Sequence, residues 1–331
     1  MNIHAKKIAA ARLSIVSNSV LMIMKLITGV AIGSVSIISE AIHSAIDLLA
    51  AIIAFVAVHI SGRPADENHP FGHGKIENIS GTIEALLILI ASGWIIYESV
   101  HKLFHPKPIF YLVWGVGIML LSAITNVVVS HILFETGEET DSIALQADAW
   151  HLRTDVYTSA GVMIALAIIW AGGHLMPDVP LLWMDPVAAM IVAAVIIHAG
   201  IKLTVRSARD LMDTTLPAEE EQLIRTLIAH QYPRVHGFHR LRTRKAGSDR
   251  FIEFNMMVDP QMSVEDSHRI TEELNDRIAE QLARTSVTIH VEPCDGRCDN
   301  HCQENCLLSE EERKTIKHSY RHKTRLYPGK T

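Results

Sequence analysis

Six blocks of apolar residues, at 8–33, 35–60, 79–100, 109–134, 143–171 and 181–205, dictate most of what this chain can fold into. At about 1.5 Å of rise per residue, each is long enough to cross a hydrocarbon layer roughly 30 Å thick. Inside such a layer every backbone amide must find its partner within the segment, so each block is expected to be a membrane-spanning helix. The first block carries Lys25 and runs into the second without a cleavage motif, so it reads as a retained helix rather than a secretory leader. An even number of spans puts both termini on one face. Lys6, Lys7 and Arg12 at the start, Arg63 and Lys75 between the second and third spans, and Lys202, Arg206 and Arg209 at the exit of the sixth carry the flanking positive charge. The opposite face offers only Lys102 and Lys107. The positive-inside rule therefore expects a multi-pass protein of the cell (inner) membrane with both termini cytoplasmic.

From residue 208 the pattern becomes that of a soluble domain. Pro217 followed by Glu219, Glu220 and Glu221 starts a helix, since proline suits a helix entry and carboxylates suit its positive end. Two strand-like runs, "VHGFHRLRTRK" and "RFIEFNMMVD", flank a turn at Ala246 to Asp249. A helix over 264–283 should present Val264, Ser267, Thr271, Leu274, Ile278 and Leu282 on one face, and "VTIHVE" supplies a third strand. The expected fold is thus an α-helical polytopic membrane protein. Its six-helix transmembrane domain (1–207) is followed by a small α+β domain of αββαβ order, ferredoxin- or metallochaperone-like (208–293), and by a Cys/His-rich tail (294–331). The tail is polar and expected to order only around a ligand.

Charge inside the spans carries the chemistry. "HSAID" in the second span sets His43 and Asp47 four residues apart, and "WHLRTDVYTS" in the fifth does the same with His151 and Asp155. Residues at i and i+4 share a helix face, so two such helices turned towards each other bring two imidazoles and two carboxylates together, a tetrahedral divalent-metal site. Either pair alone reads as readily as a structural hydrogen bond. Four ionisable groups at matching spacing, each costing on the order of 3 kcal/mol at membrane depth, ask for a shared use. Arg153 lies off the ligand face and is expected to snorkel or pair with an acidic neighbour.

Two further clusters lie outside the spans. The loop "RPADENHPFGHGKIE" gathers Asp66, His69 and His73 among turn-forming prolines and glycines, as a second metal site or a solvated, pH-sensitive loop would. The tail sets Cys294, Cys298, Cys302 and Cys306 at strict four-residue spacing with His301 among them. Thiolates at helical spacing form a ligand stripe for a soft metal; the same run also suits a disordered, redox-active tail. In a reducing cytoplasm disulfides are not expected.

Together, "HSAID", "PADENHPFGHGKIE", "WHLRTDVYTS" and the αββαβ domain resemble the cation diffusion facilitator family, near its bacterial zinc and iron efflux members, over nearly the whole chain. The resemblance implies a homodimer of six-span protomers that exchanges a cytoplasmic divalent cation for protons by alternating access. It also implies a charge interlock between Lys75 and Asp213, and a metal cluster at the cytoplasmic dimer interface from His239, His268, His290 and Glu292. Glu292 replaces the family's aspartate, and Asn255 stands where a further histidine is expected. One metal per protomer is therefore expected there, with His236 a substitute ligand out of register by one residue. His43 matches the zinc type, where iron/zinc members carry aspartate. The transported ions are expected to be Zn(2+), or Cd(2+) or Co(2+), and protons, and no nucleic-acid partner is implied. An enzyme is not expected, because the chain has no HExxH and no spare general base is foreseen beside the four ligands. The alternative is a membrane-tethered metal sensor without transport.

Overall fold

The computed structural model describes residues 3–32, 35–104, 113–157, 160, 183–296, 298 and 300–326. The chain divides into two compact units, Met1–Met212 and Asp213–Thr331. The described secondary-structure elements of the first unit are all helices: α1 (Ile3–Ile32), α2 (Val35–Ser61), α3 (Lys75–Phe104), α4 (Val113–Glu139), α5 (143–157) and α6 (Met184–Leu211). Five of these, α1 to α4 and α6, are long and apolar enough to cross a membrane. The rest of the expected fifth span, to residue 171, lies outside the described residues apart from 160, as does Lys107 of the opposite flank. Helix α6 continues to Leu211, so the helical unit runs past the expected boundary at 207.

Helix α1 packs along α2, α3 along α6, and α4 against α1. Small residues make this close approach possible: Ala10, Ala11, Ala57, Ala144 and Ala149 are buried with Leu133 and Leu152 in one cluster. The large apolar side chains point outward instead, among them Ile27 and Val30 on α1 and Ile90, Trp94 and Tyr97 on α3. That inversion suits lipid as the surrounding solvent.

A buried charge pair ties four elements of this unit together. Lys7 Nζ of α1 lies 2.8 Å from Glu77 Oε1 in the first turn of α3, with both side chains almost wholly buried. Ser61 Oγ, the last residue of α2, donates to the same oxygen at 2.7 Å, and Ser142, just before α5, donates to the other. Arg153, expected to snorkel or pair with an acidic neighbour, stacks on aromatic rings. Its guanidinium lies 4.2 Å from the Phe134 ring centroid and 5.6 Å from that of Trp150, a cation–π arrangement open to it because both rings face it from within the bundle.

The second unit contains α7 (Ala218–Ala229), β1 (Val235–Ala246), β2 (Asp249–Val258), α8 (Val264–Gln281), β3 (Thr285–Pro293), α9 (Asn300–Glu304) and α10 (Glu310–Leu326). The sheet order is β1-β2-β3. Strands β1 and β2 are antiparallel and meet at Ala246 and Asp249 across a two-residue turn, in which Gly247 takes a φ of 61°. Strand β3 runs parallel to β2, which requires the crossover that α8 provides. The core joins Ile224 and Ile228 of α7, Phe238, Ile252, Phe254 and Met256 of the sheet, and Ile270, Leu274 and Ile278 of α8. The buried stripe of α8 is Ser267, Ile270, Leu274 and Ile278. Val264 was expected on it but is 86% exposed, because the Ser263 cap starts the helix there, before it reaches the sheet.

The described residues of the tail lie against this unit. Cys306 forms an antiparallel bridge with Gly237 of β1. Phe238 N donates to Asn305 O at 3.3 Å and Leu307 N to His236 O at 2.9 Å. Strand β1 is an edge strand with free backbone groups, and the tail satisfies them. A Cβ at position 237 would stand 2.9 Å from Asn305 O, so only glycine allows this approach.

Candidate metal centres

Helices α2 and α5 bring the two HxxxD pairs face to face, and the pairing is crossed. His151 Nε2 of α5 lies 3.1 Å from Asp47 Oδ1 of α2, while His43 Nε2 of α2 lies 3.7 Å from Asp155 Oδ1 of α5. Asp47 is the hub, 3.9 Å from His43 on its own helix. His43, Asp47 and Asp155 each place one ligand atom within 4.8 Å of the others, and His151 joins them through Asp47. Donors at about 2.1 Å around a tetrahedral zinc stand about 3.4 Å apart, which is the scale of these separations. Asp47 and His151 are buried and His43 is half exposed. His151 Nδ1 is buried without a partner.

Sequence reasoning missed two carboxylates beside this cluster. Asp148 precedes His151 by three residues on α5, hence on the same face, and both its oxygens are buried. It approaches Ser14 without completing a hydrogen bond. Glu84 of α3, also buried, accepts from Ser80 Oγ at 3.0 Å and lies within electrostatic reach of Asp148 and His151. Two further carboxylates therefore lie near the four ligands, beyond those singled out from the sequence. The i−3 spacing in "DAWHLRTD" was the available signal for Asp148; Glu84 had none, since it comes from a third helix.

In the loop between α2 and α3, Asp66 organises the other two residues. Its Oδ1 accepts the backbone N–H of His69 at 2.7 Å and of Asn68 at 3.0 Å and lies 3.1 Å from His69 Nδ1, while Oδ2 lies 3.3 Å from His73 Nε2. Gly72, at a φ of 80°, turns the chain so that the two imidazole rings come within 4.4 Å. The His69 backbone N–H holds the Asp66 carboxyl below the usual range, outweighing burial. His73 Nδ1 is buried and has no partner. Among the described residues, only this loop and the α2–α5 cluster gather three such donors within 4.8 Å.

The second unit brings three of its four expected ligands together and sets His268 apart. The register sets His239 opposite Asn255 and Asn255 opposite His290, a row across all three strands. Glu292 ties the row together, 3.0 Å from His239 Nε2 and 3.5 Å from His290 Nε2, and accepts from Asn255 Nδ2 at 2.7 Å. Asn255 thus holds the carboxylate in place rather than offering a donor for metal. These residues alternate with Phe238, Phe254 and Ile289, which face the core with α8, so the row lies on the other face of the sheet. Within one protomer His268 of α8 is consequently separated from it, and pairs with Glu272 at 3.3 Å.

His236 does not stand in for the missing ligand. A bulge between Val235 and Gly237 resets β1, and the imidazole lies with the cysteines, where burial holds its pKa below the usual value. The cysteines form no helical stripe either. Cys294 follows the end of β3, Gly296 turns the chain at a φ of 71°, Cys302 sits on the single short helix α9, and Cys306 is in the bridge to β1. Among the described residues none of the four is joined in a disulfide. Asp213 Oδ1 accepts from Arg244 Nη1 at 3.3 Å within its own unit, and Lys75 opens α3.

A polytopic helical unit followed by a three-stranded α+β domain defines the class, a membrane protein with an appended soluble domain. A family model described as the cation efflux transmembrane domain matches residues 11–212, and one for the cation efflux protein cytoplasmic domain matches 216–294. The chain belongs to the cation efflux family, the cation diffusion facilitators, and is a multi-pass cation efflux transporter. An uncharacterised transporter of Synechocystis sp. is 36% identical over 261 residues, covering 79% of this chain and 82% of its own length. The cation-efflux pump FieF of Cronobacter sakazakii is 28% identical over 276 residues, covering 83% and 89%. Among solved structures, the metal-bound C-terminal domain of the CzcD transporter from Thermotoga maritima is 33% identical, with a TM-score of 0.22, over 24% of this chain and 94% of that one.

Proposed function

We propose that this transporter exports a divalent metal cation in exchange for protons, with zinc the main substrate and cadmium and cobalt further ones. The observation that supports the proposal is the crossed His–Asp pairing of α2 and α5, in which His43, Asp47 and Asp155 gather their donor atoms within 4.8 Å of one another and His151 lies 3.1 Å from Asp47. A donor set of two imidazoles and two carboxylates suits zinc, cadmium and cobalt and disfavours magnesium and manganese, which take all-oxygen shells. Metal binds neutral imidazole and ionised carboxylate, so loading the site releases protons and protonation expels the ion. Imidazole, with a reference pKa of about 6.5, is suited to that competition near neutral pH. Alternating access lets the two events occur on opposite sides of the inner membrane, with both termini cytoplasmic. The Asp66, His69 and His73 loop serves as a second metal site beside the transport unit. In a homodimer, the His239, His290 and Glu292 row carries one regulatory metal per protomer, joined by His268, and Lys75 and Asp213 act as the interlock.

The deciding measurement uses the purified full chain in liposomes. Zinc accumulation must be accompanied by proton movement in the opposite direction. A membrane-tethered sensor binds zinc with no flux, and that result would overturn the proposal.

A further inference from the structure

A small, largely enclosed pocket in the second unit is lined by Cys294, Cys298, Cys302 and Cys306 together with His236 and Arg313. Every cysteine of the chain is in this one place, although they arrive from four different local structures. Two further atoms at the pocket are unexplained. His236 Nδ1 and Arg313 Nε are both buried and neither has a hydrogen-bond partner. Buried nitrogens are nearly always paired, because an unpaired one loses its solvation without a replacement, so two at one pocket point to an acceptor that has yet to form there.

We propose that the four cysteines form a thiolate site for one soft divalent cation of the zinc and cadmium class, with His236 and Arg313 hydrogen-bonded to the bound sulfurs. A thiol is a poor acceptor, whereas a thiolate on a metal is a good one. Deprotonation on binding therefore supplies the acceptors that both nitrogens lack. Four thiols give up four protons to solvent as one divalent ion enters, leaving a net charge of −2, which the Arg313 guanidinium partly offsets. In this structure no three of the sulfurs lie within 4.8 Å of one another among the described residues, so the cysteines line the wall of the pocket without closing on its centre. Four sulfurs at about 2.3 Å from a metal stand about 3.8 Å apart, and side-chain rotation from a common wall can reach that.

The site also has a mechanical consequence. Cys306 is held opposite Gly237 of β1 by the backbone bonds of its neighbours Asn305 and Leu307, and Cys294 directly follows β3, so a bound cation would clamp the tail to both outer strands of the sheet. Those strands carry His239 and Glu292.

Cobalt(II) added to the metal-stripped full chain in detergent separates this site from the others, since only sulfur ligands give a sulfur-to-cobalt charge-transfer band. One cobalt per chain with that band is expected, and zinc should displace it and shield all four thiols from alkylation. Cys302→Ser, at a half-exposed position, should weaken the band by at least its share of the four sulfurs and lower cobalt affinity while the protein stays folded. Arg313→Met should keep the band and weaken zinc binding about tenfold, the usual effect of losing an outer partner of a metal ligand. Thiols that alkylate equally fast with and without zinc, with no charge-transfer band, overturn the proposal. Iron with acid-labile sulfide in the isolated protein overturns it too. None of these readouts depends on flux, so failure of the transport reading would leave this site standing.

Discussion

The donor cluster between α2 and α5 and the cysteine pocket of the second unit solve one problem in opposite ways. In the first, each of two long helices contributes a histidine and an aspartate one turn apart, and the periodicity of the helix fixes their relation. In the second, a strand end, a glycine turn, a short helix and an edge bridge each deliver one cysteine, and only the fold of the tail makes them neighbours. The helical cluster should tolerate change in its surroundings and fail when a ligand is lost. The cysteine pocket should depend on backbone features that bear no ligand at all.

The largest effect expected is on the helical cluster. Asp155→Ala should abolish zinc flux into proteoliposomes while the protein still inserts and elutes as wild type does, and retained transport would remove the assignment. Next, His43→Asp changes two nitrogens and two oxygens into one and three. Competitive transport of zinc, cadmium, cobalt, iron(II) and manganese at matched expression should show zinc weakened and iron(II) or manganese admitted; an unchanged order would deny His43 any part in selectivity. Lys7→Met tests whether the helical frame rests on more than its ligands. Leaving Glu77 buried without its cation should cost about 3–5 kcal/mol, read as a lower midpoint of thermal unfolding in detergent. The smallest change falls on the tail. Gly237→Ala should cost about 1–3 kcal/mol by crowding Asn305 O, and should speed alkylation of Cys298 and Cys302 in the metal-free protein while zinc flux at saturating metal is kept.

Legibility in the sequence followed the same division. The spanning helices, the αββαβ order and the turn at Gly247 could be read because each is encoded by local periodicity or by a residue with one conformational use. The crossed partnership of His43 with Asp155 and of His151 with Asp47 needed only two helices turned towards each other. Glu84 could not be read, because α3 brings it from elsewhere in the chain. Asn255 looked like a lost ligand, and its actual part, holding Glu292, depends on strand register. The tail misled most: equal spacing suggested one helix, whereas Gly296 and the bridge at Cys306 divide it, and its order comes from the edge of β1.

The Lys7–Glu77 pair bears on how the helical unit can move. Drawing α1 away from the start of α3 would strand one charge in an apolar surrounding, and the hydroxyls of Ser61 and Ser142 are too weak to replace the partner. The ends of α1, α2 and α3 and the start of α5 are therefore pinned at one point, and displacement grows with distance from it. The His–Asp cluster sits farther along α2 and α5, where a small swing about this pivot becomes a large change in the separation of the ligands.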